Sequence, residues 1–474
     1  MNYSPLLTDL YQLTMTAGYV EQDMADAPAV FDLYFRNNPF EGGYAVFAGL
    51  GPALDFLEQI RFSDDDLAYL QGLGLFKQRF LEFLRDFRFK GRITAPPEGT
   101  VVFANEPLLT VQGALAEVQF VETVLLNIIN FQTLVATKAA RITHAAGSSE
   151  TVEFGLRRAQ GPDGGMSASR AACIGGCAGT SNVLAGKRYG LPVRGTQAHS
   201  WVQAFPDELT AFRAYADLFP EHTILLVDTY DTLRSGVPNA ITVARELRQK
   251  GSSLKGIRID SGDLAYLSRQ ARRMLDEAGF GDVKIVVTND MDEFVIDSVR
   301  REGGAVDVYG VGTRLATCAG AGGGALGGVY KLVEIGGRPS LKITGDIAKS
   351  TLPGNKRVVR VLGPDGEFAQ DVICLVGEQP RQGDTVYDPT NPARYTHVPA
   401  GEMFDVRAVV MDQGCRIVAK ESLHDMAERC RKEVARLPSG CLRLINPHIY
   451  KVSVSERLKT LRGDLIDQLR QGMV

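Results

Sequence analysis

The sequence has little of what would make it a metal, disulfide, membrane or nucleic-acid protein. Only six histidines occur in 474 residues. His199 has no second histidine or cysteine at ligand spacing, which argues against a zinc site. The seven cysteines are odd in number and form no CxxC pair. Cys173 and Cys177 stand four apart in a small-residue stretch, and reduced thiols in a core are the expected state. No apolar run approaches a membrane span, and the opening "MNYSPLLTDLYQLTM" lacks a signal-peptide pattern. A cytoplasmic protein without membrane contact is expected. Net charge is only −4, so there is no global electrostatic case for nucleic acid. No repeat or low-complexity tract is found, and no Rossmann fingerprint follows a first strand.

What is present is ordinary for a globular protein: 45% apolar and 23% charged residues. The length suggests two or three domains and can bury a large core without staples. The N-terminal third mixes types. A helix is expected at 6–20, started by Thr8 or Asp9, and a strand at 29–36 ("AVFDLYFR"). Helical periodicity covers 52–88, two or three short strands 91–113, and a long helix about 115–141.

From residue 150 the rhythm changes. Short apolar runs at 151–155, 192–195, 223–229, 256–260, 283–290 and 306–313 alternate with helical segments, the first at about 167–189. Strands alternating with helices of ten to fifteen residues mean βαβ units and a parallel sheet. The expected fold class is α/β: an irregular (β/α) barrel domain at 146–334 and an α/β sandwich-like domain at 1–145. Strands from about 335–410, within β-like stretches at 327–345 and 357–378, complete the second. A mostly helical tail is expected at 411–474.

In a (β/α) barrel the active site lies at the C-terminal ends of the strands. Here those ends read "EFGLRRAQGPDGG", "RGTQAHS", "VDTYDT", "RIDSGD", "TND" and "YGVGTR". Arg157, Arg158, His199, Asp228, Asp231, Arg258, Asp260, Asp263 and Arg314 therefore fall on or near one rim, an arrangement suited to a phosphorylated, metal-bound substrate. Each stretch also has a plainer reading. The arginines could decorate an exposed turn, and one aspartate in each of "DTYDT" and "DSGD" could cap the next helix. The second aspartate of each pair is not explained by capping. Gly310 and Gly312 follow a late strand, where bare N–H groups can approach phosphate oxygens. A lone His199 reads first as a hydrogen-bonded structural residue, but its strand-end position beside Thr196 and Ser200 turns the reading toward function.

These motifs resemble the nicotinate phosphoribosyltransferase family. "TDLYQ", "YFRNNPF", "EFGLRRAQGPDGG", "SNVLAG", "GTQAHS", "DTYDT", "RIDSGDL", "GVGT" and "LGGVYKL" occur in that family's order, from residue 6 to 461. The resemblance implies that nicotinate attacks C1 of phosphoribosyl pyrophosphate, giving nicotinate mononucleotide and pyrophosphate in NAD salvage. ATP is the co-substrate, coupled through a phosphorylated histidine, which by motif position is His199. It also implies nicotinate contacts at Tyr11, Phe154, Arg157, Thr196 and Arg258, with Tyr11 supplied across a homodimer interface. Asp260 and Asp263 resemble ribose- or metal-facing acids. Gly310, Gly312, Thr313, Gly327 and Gly328 match the 5-phosphate cradle. Magnesium is expected on the pyrophosphate, with protein acids mostly outside its immediate ligands.

Relatives acting on nicotinamide carry an acid near "GTSN", where Ser181 and Asn182 stand here, so nicotinate is the favoured substrate. "GAGGGALGG" is more glycine-rich than the family pattern and suggests a mobile lid. Three rivals compete: a nicotinamide or quinolinate enzyme of the same fold, a non-catalytic barrel relative, and a barrel aldolase or lyase. The second predicts losses at His199, "DSGD" or "GVGT", all of which are intact; the third needs a strand-end lysine, which is not seen.

Overall fold

A computed structural model describes residues 3–342 and 351–472. The chain forms two compact units, one of residues 1–134 with 325–474 and one of residues 135–324. The boundaries expected from sequence, 145/146 and 334/335, lie ten or eleven residues later. Each unit is described by itself.

The first unit opens with α1 (Leu10–Glu21), β1 (Pro28–Tyr34), β2 (Ala45–Val46), α2 (Leu50–Gln59), α3 (Asp64–Gly72) and α4 (Gln78–Arg85). There follow β3 (Arg92–Ala95), β4 (Val101–Val102), β5 (Leu109–Ala114), α5 (Leu115–Phe120) and α6 (Glu122–Ala146), and the unit boundary falls inside α6. The expected helix over 115–141 is thus two helices, parted at Val121. Local rules account for several boundaries. Ser63 and Asp66 form a reciprocal capping box at the start of α3. Asp9 begins α1, yet its side chain caps nothing; one of its oxygens accepts from the Thr123 hydroxyl at 2.9 Å.

The second unit holds β6 (Glu150–Glu153), α7 (Gly161–Ile174), α8 (Val183–Tyr189), α9 (His199–Gln203), α10 (Glu208–Leu218), β7 (Ile224–Leu226) and α11 (Val237–Gln249). It continues with β8 (Gly256–Ile259), α12 (Leu264–Glu277), β9 (Lys284–Val287), α13 (Glu293–Arg301), β10 (Val308–Val311) and α14 (Thr313–Ala316). All its strands are parallel, in the order β6-β10-β9-β8-β7. Single bridges extend this order through Glu153–Thr180 to Thr180–Val193. The first and last of the five strands, β6 and β10, are neighbours in this order. Among the described residues no strand pairing joins Val193 to β7. Instead the Gln197 amide, oriented to suit its neighbours, donates to Ile224 O at 2.8 Å and accepts from the Leu226 N–H at 3.2 Å.

The helix expected at about 167–189 is interrupted. α7 ends at Ile174, Gly176 takes φ +106°, and Thr180 enters the sheet. α7 stops at the Gly175–Gly176 pair, and the bare Gly175 lets the chain pass close to α6: a Cβ there would lie 2.5 Å from the Ala139 Cβ.

The first unit resumes with β11 (Val329–Ile335), β12 (Arg338–Pro339), β13 (Lys356–Leu362), β14 (Phe368–Leu375), β15 (Thr385–Tyr387), β16 (Tyr395–His397), β17 (Met403–Asp405), β18 (Ala408–Asp412) and β19 (Cys415–Arg416). It ends with α15 (Leu423–Ala435), β20 (Val452–Ser455) and α16 (Glu456–Arg470). One sheet runs β12-β11-β1-β5-β3-β18-β19, another β16-β15-β20-β14-β13-β17. The tail is therefore helical with strands woven in: β18 pairs with β3, and β20 with β14 and β15. Residues 343–345 of the expected β stretch lie outside the described residues. In the second sheet Arg360 is fully buried, donates from Nε and Nη2 to Asp371 at 2.9 and 2.7 Å, and lies 4.3 Å over the Phe368 ring. Breaking such a buried pair on one side costs about 3–5 kcal/mol.

Candidate active site

The parallel strands of the second unit bring their C-terminal ends to one edge. β7 and β8 run in register, so the residues just beyond them are neighbours. Asp228 lies two residues past β7, with its side chain only 1% exposed. One oxygen stands 3.2 Å from His199 Nε2. The other accepts from the Asp260 N–H at 2.9 Å and the Ser261 hydroxyl at 2.6 Å. A carboxylate can only accept here, so a neutral His199 carries its proton on Nε2 and its free lone pair on Nδ1. His199 begins α9 and its side chain is 38% exposed, open to a reactant.

The two aspartates of each rim motif divide their work. Asp231 accepts from the Leu233 and Arg234 N–H groups, and Asp263 from the Tyr266 N–H at 2.9 Å. These are helix caps, each worth about 1 kcal/mol. Asp228 and Asp260 cap nothing. Asp260 instead accepts from the Thr288 hydroxyl. Asp263 lies beyond β8 as the N-cap of α12, a bond that the resemblance alone did not reveal.

Arg258, near the end of β8, donates from Nη1 to Thr196 Oγ1 at 2.5 Å. Burial lowers its pKa from the usual guanidinium value; Asp260 and Asp228 oppose that, and the charge of Arg157 adds to it. Its Nε is buried with no hydrogen-bond partner among the described residues. Two guanidiniums within each other's field, one with an unspent buried donor, suit an anion presented between them. Arg157 and Arg158 belong to an exposed turn after β6. Arg314 pairs with Asp292 at 3.4 Å.

Phe154 follows β6, and its ring packs on β10. A Cβ on Gly310 would lie 2.7 Å from two ring atoms and 2.5 Å from Thr288 Cγ2. Gly310 therefore makes room for the ring, a role additional to the phosphate cradle implied by resemblance. Gly312 precedes the short α14 that Thr313 starts, and its carbonyl accepts from the Leu315 and Ala316 N–H groups. Asn182 is buried and spent on structure: it caps α8 through the Ala185 N–H at 3.1 Å and donates to Ser169 Oγ at 3.2 Å. Ser181 is the half-buried member of that pair.

Tyr11, Gly327 and Gly328 belong to the first unit. Tyr11 is 46% exposed on α1. Gly327 has φ +68°, and a Cβ on Gly328 would collide with the Asn130 side chain. Three contributors went unassigned by motif: the bond from Asp228 to His199, Ser261 and Thr288. Only Asp228 left a signal, as the aspartate of "DTYDT" that capping does not need. Among the described residues no group of three or more His, Cys, Asp or Glu is placed to hold a metal ion. No helix among them is long and apolar enough to cross a membrane.

Comparison with known proteins gives a consistent result. Residues 6–130 match the N-terminal domain of nicotinate phosphoribosyltransferase, 149–291 the nicotinate phosphoribosyltransferase family, and 355–462 the C-terminal domain. The chain is 43% identical over 458 residues to nicotinate phosphoribosyltransferase of Bacillus subtilis, covering 95% of this chain and 93% of that protein. It is 37% identical over 521 residues to the Homo sapiens protein of that name, covering 97% and 96%. The crystal structure of human nicotinic acid phosphoribosyltransferase superposes with a TM-score of 0.86 at 35% identity, covering 97% of this chain and 99% of that one. A nicotinate-nucleotide pyrophosphorylase from Pyrococcus furiosus shares the fold, with a TM-score of 0.71 at 23% identity over 91% of this chain and 95% of that one.

Proposed function

The chain belongs to the nicotinate phosphoribosyltransferase family, and on that premise we propose that its strand-end rim couples ATP hydrolysis to transfer of the 5-phosphoribosyl group onto nicotinate. Phosphoribosyl pyrophosphate is the donor. Nicotinate mononucleotide and pyrophosphate are the products, a salvage step toward NAD. The observation that carries the coupling is the continuous set of bonds from His199 through Asp228 to Asp260 and Ser261.

The transfer itself needs little covalent help. The pyridine nitrogen is already nucleophilic, and C1 of the ribose gains oxocarbenium character as pyrophosphate departs. Catalysis rests on positioning and charge. Phe154 in this chain and Tyr11 of a second copy would hold the flat ring between them. Arg258 and Arg157 would take its carboxylate or a phosphate, with Thr196 fixing the Arg258 fork. Gly310, Gly312 and Thr313 would bring bare N–H groups to the 5-phosphate.

His199 would accept the γ-phosphoryl group of ATP. A P–N bond forms at Nδ1, the P–O bond to ADP breaks, and water later takes the phosphoryl group. Asp228 holds the ring and its tautomer. Magnesium, when bound to the pyrophosphate, offsets its charge. Asp260, with one oxygen not engaged by Thr288, and the exposed Asp263 fit a role in holding the ion's water shell rather than a protein cage. Ser181, neutral where nicotinamide enzymes have an acid, favours nicotinate over nicotinamide.

The test is a product assay with nicotinate and nicotinamide in parallel, with and without ATP. Nicotinate mononucleotide should form from nicotinate alone, with yield raised by ATP. Equal use of nicotinamide would sink the specificity reading, and indifference to ATP would sink the coupling.

A further inference from the structure

We propose that Thr288 is a positioning residue for the transfer: its hydroxyl holds the Asp260 carboxylate while its methyl sets the floor under the Phe154 ring. The catalytic half of this rests on the reading of the reaction just given.

Thr288 is the first residue beyond β9 and is buried. Its backbone is already satisfied, since its N–H donates to Ile259 O at 3.0 Å. Its side chain caps no helix; Asp292 does that for α13, accepting from the Phe294 and Val295 N–H groups. The hydroxyl is therefore not spent on local structure. It donates to Asp260 Oδ1, on the neighbouring strand end. Among the described residues the other hydrogen bond of Asp260 is made by its main chain, the N–H donating to Asp228, and Arg258 acts on it through charge. Without Thr288 its carboxylate would be free to turn, and a group that must reorient during reaction stabilises charge less well.

The methyl faces the other way. Thr288 Cγ2 and the Phe154 ring both crowd the point where a Gly310 Cβ would stand, at 2.5 and 2.7 Å. One side chain just beyond β9 thus holds the acid just beyond β8 and shares the space over Gly310 with the Phe154 ring. The turn that follows is strained: Asn289 and Asp290 take φ of +94° and +31° without being glycine. Such backbone persists where the surroundings demand it, and it clusters at functional sites.

Two substitutions separate the halves. Thr288→Val keeps the shape and removes the hydroxyl. It should lower kcat about tenfold or more, the scale of one hydrogen bond to a charged group, with nicotinate KM little changed. Thr288→Ser keeps the hydroxyl and removes the methyl. It should restore kcat and raise nicotinate KM. Equal kcat losses in both variants, or an unchanged kcat in Thr288→Val, would overturn the role. A second readout does not depend on turnover: the carboxyl carbon resonance of Asp260, in protein labelled at aspartate and assigned with Asp260→Asn. It should move in Thr288→Val and return in Thr288→Ser. An unmoved resonance overturns the contact even if the enzyme is active. A chain that makes no nicotinate mononucleotide overturns the reading of the reaction and the catalytic half with it, while the resonance still decides the contact.

Discussion

Asp228 makes the two ring nitrogens of His199 unequal. Replacing Asp228 with asparagine would offer an N–H where His199 now donates, favour the opposite tautomer and bury the nucleophilic pair. Asp228→Asn should therefore cut ATP hydrolysis by orders of magnitude, about 10⁴-fold being the loss when a catalytic imidazole's orienting carboxylate becomes an amide. His199→Ala should abolish that hydrolysis yet leave weak ATP-independent transfer, because the proposed substrate contacts lie on other residues. Acid-labile, base-stable label from γ-labelled ATP should appear on the normal protein and vanish in the variant; label that persists would mean another acceptor. Elsewhere a single residue governs stability. Burial, then the neighbouring Asp371 carboxylate, pushes Glu106 well above the usual carboxylate range. The folded chain thus prefers it protonated. Its contribution is fully present below the unfolded value of about 4.3 and is lost as pH rises through the folded value. Glu106→Gln should keep the bond from the Phe103 N–H and raise the melting temperature by more at alkaline than at acidic pH. A gap independent of pH would show that Glu106 is ionised in the folded chain.

At the level of elements, α12 tests what an aspartate at a helix start is for. Asp263→Ala removes the cap and should cost about 1 kcal/mol, read as a lower melting temperature. Asp263→Asn retains the cap, so any turnover it loses is owed to charge at the rim. Asp260→Asn should leave melting unchanged and cut turnover by orders of magnitude; a collapse of stability with normal turnover would make it structural instead. The same helix starts explain what was legible in the sequence. Strands β7 to β10 are short apolar runs, mostly buried, followed by polar residues and amphipathic helices, so their positions and their polar ends could be read directly. Capping logic set aside one aspartate of each pair without naming it, and the structure identifies those as Asp231 and Asp263. The rest depends on distant partners. Residues 167–189 carry a helical pattern at both ends, and the turn at Gly175–Gly176 that parts them packs against Ala139. β18 finds β3 across some three hundred residues of chain. Thr288 is unremarked in "TND" because its partner is fixed by strand order, which no local pattern encodes.

At the level of the molecule, each unit leaves apolar side chains uncovered. On α1 and the residues before it, Leu7, Leu10, Tyr11 and Met15 are exposed. On the second unit Leu156, Val183, Leu184 and Val193 are exposed, all beside strand ends that carry rim residues. A symmetric dimer that seats the first set of one copy on the second set of another would cover both and bring Tyr11 to its partner's ring site. That arrangement makes a quantitative prediction. A chain carrying Tyr11→Ala and a chain carrying Arg258→Ala should each be inactive alone. Mixed at random, half of the dimers are hybrids. In each hybrid one site joins an intact Arg258 with an intact Tyr11, and the other has neither. Reassortment of the two dead variants should therefore restore about a quarter of normal activity if sites are shared across a two-fold axis. If Tyr11 serves the site of its own chain, every site in every hybrid lacks one residue or the other. Verified heterodimers would then stay inactive, and the shared site would be ruled out.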